Sequence, residues 1–179
     1  MNRIVIGNIV SLIASVMMVL IGFIKDKKIT LLYQTVDFGF MSLANIILGG
    51  ISGFITNLIS IVRNIVCLKY KFTFPFKVFF IVLQVVLIFI FSNEGLRAIF
   101  PILAVLIYTF VLDTKDIKLF KKIVIVCQLF WVAYDLSTLN ISSFVFDVLT
   151  IGSNAVSLYR IYNDEKILKW YITIDISFF

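Results

Sequence analysis

Residues 29–68 read ITLLYQTVDFGFMSLANIILGGISGFITNLISIVRNIVCL, a run whose only charges are Asp37 and Arg63. As one helix it would reach about 60 Å, twice the roughly 30 Å thickness of a bilayer's hydrocarbon core. A turn must break it, and Gly49–Gly50 followed by Ser52–Gly53 supplies one. The stretch therefore reads as two membrane helices, 29–48 and 51–69.

Outward from this pair, Ile4 to Ile24 is a clean span between Arg3 and the Lys25–Asp26–Lys27–Lys28 cluster. Its apolar run is too long for a cleaved signal peptide, and no small-x-small site precedes the cluster. Residues 74–91 form a fourth span with Pro75 in the first turn, where proline is tolerated. A fifth runs over 98–112 and contains Pro101. Residues 123–159 need two short spans split around Ser137–Ser143. Composition agrees with seven helices. The 179 residues are 61% hydrophobic and 15% charged, and the mean hydropathy is +1.10; soluble domains are about 45–50% apolar and about 25% charged. There is no His, and Cys67 and Cys127 lie inside apolar runs. That argues against zinc sites, histidine acid–base catalysis and a disulfide framework. No nucleophile–base spacing stands out, so the expectation is a non-enzyme without cofactor or metal. The +6 net charge has no basic patch apart from the helices, so nucleic acid is not expected.

With seven spans, residues 25–28, 69–77, 113–122 and the C-terminal tail share one side. Counting Arg63 and Arg160 there, all of the 16 Lys and Arg except Arg3 and Arg97 lie on it. The positive-inside rule makes that side cytoplasmic, with the N-terminus outside and the C-terminus inside a bacterial inner membrane.

Polar residues recur along the chain. Asn57-x-x-Ser60-x-x-Arg63 in the third helix matches Asn154-x-x-Ser157-x-x-Arg160 in the seventh, 97 residues on. Lys28-x5-Gln34 matches Lys122-x5-Gln128, and Arg3 matches Arg97, both at an offset of 94. Such residues are scarce and costly inside a bilayer, so the matches carry weight. The expected fold is an all-α membrane protein of seven transmembrane helices, built as two parallel three-helix repeats joined by a linker helix. Residues 1–72 form the first repeat, 73–96 the linker, 97–162 the second repeat and 163–179 a cytoplasmic or interfacial tail.

On these residues the 3+1+3 plan resembles the SWEET sugar transporters and the PnuC-type vitamin transporters. The sequence itself is most similar to the YgjV family of bacterial inner membrane proteins. The carrying stretches are Leu48 to Gly53 with Asn57 to Arg63, Trp131 to Asp135, and Asn154 to Arg160. The SWEET resemblance implies that Asn57 and Asn154 line a substrate site. Of the prolines that SWEETs carry in several helices, only Pro101 stands within a core span.

Asn57 and Asn154 would face each other near the midplane and offer amides to a neutral polar solute; interhelical hydrogen bonding is the plainer alternative. Ser60 and Ser157 accompany them. Trp131 and Tyr134 could stack on a solute ring, or simply pack. Asp37 and Arg63 fall at similar depth, where an ion pair would offset the cost of burying each charge. Asp135 and Asp147 are candidates for proton coupling or for a solvated helix end, and Arg160 snorkels to the headgroups. The expected function is a carrier of a small polar solute of the sugar, nucleoside or vitamin class. A non-transporting scaffold or accessory subunit is the alternative. The expected partners are membrane lipids and the solute, and a homo-oligomer is left open.

Overall fold

Two aspartates start two helices in the same way. Asp26 accepts a hydrogen bond from the Ile29 amide at 2.9 Å, and Asp116 accepts from Lys118 at 2.8 Å and Leu119 at 3.3 Å. Each occupies amides that a first helical turn leaves free. These helices also end alike. Gly49 (φ 86°) and Leu139 (φ 59°) are left-handed. The following amides, of Gly50 and Asn140, bond back to the carbonyls of Asn45 and Asp135 at 2.8 and 2.9 Å, closing the helix end in a Schellman turn. New helices begin at Ile51 and Ile141. Start, stop and restart thus fall 90 residues apart in the two halves.

The computed structural model describes the backbone over residues 2–177 and side chains through 164. Among the described residues it is all-helical. The helices are α1 (Arg3–Gly22), α2 (Lys27–Leu48), α3 (Ile51–Lys69), α4 (Phe74–Phe91), α5 (Ile99–Val111), α6 (Ile117–Ser137) and α7 (Ile141–Ser177), with a short 3₁₀ turn, Gly95–Ala98, before α5. Two expectations need correction. The sixth helix begins at Ile117 rather than near 123, because Asp116 caps it there; Lys118, Lys121 and Lys122 therefore ride on its first turns. The seventh does not stop near 160 but continues as one helix to Ser177. The interfacial segment expected around Trp170 and Tyr171 lies outside the described side chains.

α1, α2, α3, α4 and the Ile141–Asp164 part of α7 are long and apolar enough to cross a membrane, by length and composition. α5 is shorter, and α6 carries three lysines and Asp135. Each helix packs mainly on its neighbours in sequence: α1 on α2, α2 on α3, α5 on α6, α6 on α7. α7 returns to α1, while α3 approaches α5 with α4 against both. α1 and α7 meet so closely that a Cβ added at Gly22 would lie 1.9 Å from Ser153 Oγ.

The ring is polar inside and greasy outside. Among the described residues, buried polar side chains outnumber buried apolar ones, and the exposed set is dominated by Leu, Ile, Val and Phe. Lipid solvates such an exterior, so packing and interhelical hydrogen bonds rather than an apolar core hold the helices together. An apolar cluster including Ile55, Phe80, Ala104, Leu112 and Phe120 fills the side nearest α4.

Candidate functional site: an axial chain of polar cavities

Three small cavities lie between the triplet α1–α3 and the triplet α5–α7, and Met18 of α1 lines all of them. The acidic cavity, ≈ 30 Å³, takes Asp37 and Asn45 from α2, Asn57 from α3, Asp135 from α6 and Asp147 from α7. The arginine cavity, also ≈ 30 Å³, takes Ser60 and Arg63 from α3, Tyr108 from α5 and Cys127 from α6. Phe38, Gln128 and Trp131 line both. The lysine cavity, ≈ 10 Å³, is bounded by Gly22, Thr30, Lys121 and Asn154 and shares Gln34 with the arginine cavity. Such spaces hold about one water each, so any larger solute enters only if the helices part.

The polar side chains along these cavities are only partly paired with one another. Asp147 Oδ1 accepts from Gln128 Nε2 at 3.0 Å and Asp135 Oδ1 from Asn140 Nδ2 at 3.4 Å. Asp147 Oδ2, Asp37 Oδ1 and Asn45 Oδ1 are buried without a partner. Arg63, 1% exposed, donates from Nη1 to Thr109 Oγ1 at 3.0 Å and from Nη2 to Asn64 Oδ1 at 3.5 Å. It lies 4.9 Å from the Tyr108 ring centre, and its Nε has no partner. Tyr108 in turn donates to Gln34 Oε1 at 2.6 Å. Lys121 donates to the Gly22 carbonyl at 2.7 Å. The expected Asp37–Arg63 ion pair is not formed: among the described residues the ion pairs are Lys25–Asp164 and Lys77–Asp113. Arg63 turns toward α5 instead, where Thr109 and the Tyr108 face receive it.

Nor does the structure set Asn57 and Asn154 across one cavity. Asn57 sits six residues after the start of α3, Asn154 thirteen after the start of α7. Asn8, near the start of α1, bonds the Leu139 carbonyl at 3.1 Å, and Arg3 bonds that of Ile47 at 3.0 Å. Both interhelical turns therefore lie at the same end, and the two amides differ in depth by about 10 Å. At the 90-residue spacing of the caps and turns, Asp147 follows Asn57 and Asn64 precedes Asn154. Asn57 lines the acidic cavity; Asn154 lines the lysine cavity and donates to Thr150 O at 2.9 Å.

The other expected residues divide. Ser60 and Trp131 are on cavity walls. Ser157 is buried with an unpartnered hydroxyl away from all three cavities. Tyr134 is also off them. Its hydroxyl accepts from the Gly53 amide at 2.8 Å, and its ring stands edge-on to Trp131. Arg160 is exposed, as snorkelling requires. Asn45 and the burial of Lys121 carry no signal in the sequence.

The two ends differ. At the turn end, Ser11 donates to Asn140 Oδ1 at 2.8 Å, Ser142 N to Asn8 Oδ1 at 2.8 Å, and Ser52 Oγ to Glu94 Oε2 at 2.6 Å. At the opposite, basic end a pocket of ≈ 520 Å³ opens between Lys27, Lys28, Lys71 and Lys115. Leu31, on its wall, packs in the same cluster as Tyr108 and Phe120, which separate it from the inner cavities.

The model of the family described as Imp-YgjV, bacterial inner membrane protein, matches residues 5–165. The chain belongs to the Imp-YgjV family. It is therefore a membrane protein of a bacterial inner-membrane family, and its exposed Leu, Ile, Val and Phe face lipid. No curated protein and no solved structure matches it.

Proposed function

We propose that this Imp-YgjV protein is an alternating-access carrier for a small polar solute. The observation that carries the reading is the chain of small cavities lined by buried polar side chains between the two helix triplets. A scaffold needs no cluster of buried carboxylates and a guanidinium with unpartnered atoms, since a charged group inside a bilayer costs several kcal/mol. In a carrier those groups wait for a solute.

The two triplets act as parallel repeats, with α4 as tether and all seven helices spanning the bilayer. The ninety-residue register of caps and turns supports this, as do two arginines with matched roles. Arg3 bonds the Ile47 carbonyl and Arg97 the Ser137 carbonyl, and these acceptors too are 90 residues apart. The arginine cavity draws on α1, α2, α3, α5 and α6, and the lysine cavity on α1, α2, α6 and α7. The lysine-rich end is cytoplasmic by the positive-inside rule. The form described here is sealed outside by the turn-end hydrogen bonds and closed inside by Leu31, Tyr108 and Phe120. Rocking one triplet against the other would open either end in turn. Asn57, Ser60, Trp131, Asp37, Asp135 and Arg63 are the solute contacts, with Asn154 farther in; Tyr134 and Ser157 position helices.

Purified protein in liposomes, offered labelled polar solutes with and without a gradient, is the test. Saturable, protein-dependent uptake is expected. A protein that moves none of a broad panel and co-purifies with a stoichiometric partner is a scaffold, and the reading fails.

A further inference from the structure

The proposed carrier site holds two opposite charges that do not use each other. Asp37, Asp135 and Asp147 line the acidic cavity, and no basic side chain does. Its orphan atoms are Asp37 Oδ1, Asp147 Oδ2 and the amide oxygen of Asn45, a residue only 2% exposed. All three are acceptors, and an ammonium group carries three N–H donors. Phe38 and Trp131 add aromatic surface, which attracts cations. Next door, the buried Arg63 keeps an unpartnered Nε, and no carboxylate lines its cavity.

Resting on the carrier reading, we propose that the solute is a small zwitterion, with a primary ammonium in the acidic cavity and a carboxylate on Arg63. Asp147 lies six residues into α7 and Arg63 twelve into α3, so their backbone positions differ in depth by about 9 Å along the bundle. The shared walls of Phe38, Gln128 and Trp131 make the two cavities one elongated site once the triplets loosen. Arg63 suits the carboxylate end because its planar fork binds such groups bidentately and keeps its charge when buried. A neutral sugar or nucleoside brings neither an ammonium for the acidic cavity nor a carboxylate for the Arg63 fork.

The experiment is uptake into proteoliposomes of four labelled probes: alanine (zwitterion), ethylamine (ammonium only), propionate (carboxylate only) and ribose (neutral). Alanine uptake is expected to be saturable and to exceed each single-charge probe at least tenfold. Asp147→Asn and Arg63→Gln should each lower alanine uptake at least tenfold, with monodispersity and thermal stability checked in detergent. Because either variant could fail to fold, wild-type competition gives an independent reading. Excess unlabelled alanine, serine or glycine should block labelled alanine, and excess ethylamine or propionate should not. Uptake of ribose or ethylamine without alanine overturns the zwitterion and leaves the carrier standing. Equal uptake of alanine and ethylamine also overturns it. If no probe moves, including in a wider polar panel, the zwitterion and the carrier fall together.

Discussion

Gly22→Ala tests the contact that joins the two triplets. The added Cβ would lie 1.9 Å from Ser153 Oγ, 2.9 Å from Ser153 Cβ and 2.9 Å from Asn154 Nδ2. The first is well inside any real contact, and Ser153 Oγ is already engaged with the Thr150 carbonyl at 3.0 Å. Turning the hydroxyl away would break that bond and leave the Cβ contact, so α1 and α7 must separate. Overpacking of this kind costs about 1–3 kcal/mol. The lost hydrogen bond adds about 1 kcal/mol, so roughly 2–4 kcal/mol is expected in all. Ser153→Gly removes two of the three clashing atoms, the Ser153 Oγ and Cβ, and leaves Asn154 Nδ2. In a double-mutant cycle read by thermal or denaturant unfolding in detergent, Gly22→Ala alone should be strongly destabilised. The pair with Ser153→Gly should recover at least about half of the loss, a coupling beyond the few tenths expected of independent sites. If Gly22→Ala unfolds like the wild type, or Ser153→Gly fails to rescue it, α1 and α7 do not cross as described.

Leu139 sits at a left-handed φ of 59° where its counterpart is Gly49, and its side chain is largely exposed, so Leu139→Gly should stabilise the protein by about 1 kcal/mol in the same unfolding assay. Glu94 accepts from both the amide and the hydroxyl of Ser52, so Glu94→Ala should cost about 1–2 kcal/mol by freeing the start of α3. Asp37→Asn and Arg63→Gln should show a coupling below about 0.5 kcal/mol, because no ion pair joins them. Cys67 lines the pocket at the basic end while Cys127 is buried, so a membrane-impermeant maleimide should label Cys67 in inside-out vesicles and not in spheroplasts.

The helix count and the turns were legible because they rest on strong local signals. Residues 29–68 are too long for one span, and Gly49–Gly50 supplies the left-handed residue that a Schellman closure needs. The side-chain matches at offsets of 94 and 97 do not coincide with the 90-residue spacing of the backbone landmarks, Asp26 with Asp116 and Gly49 with Leu139. Asp116 stands among lysines in a polar loop, and Leu139 is no turn residue by type, so neither advertises its role. The Asp37–Arg63 pairing failed for a different reason. Depth along a helix is readable from residue counts, but rotation about it is not, and Arg63 faces Thr109 and Tyr108 rather than α2. Lys121 looked like a loop residue until the Asp116 cap moved the helix start, which carries its amine to the Gly22 carbonyl.

The most direct test of alternating access is to lock the turn end and measure transport. Ser11 and Asn140 are both buried, and their side chains meet at 2.8 Å across α1 and the α6–α7 turn. Ser11→Cys with Asn140→Cys, with Cys67 and Cys127 replaced by serine, places a closable bond there. In proteoliposomes, solute uptake is expected to stop when the pair is oxidised and to return on reduction, while the unpaired single variants transport in both conditions. Uptake that continues undiminished through a fully formed disulfide would contradict alternating access about this axis.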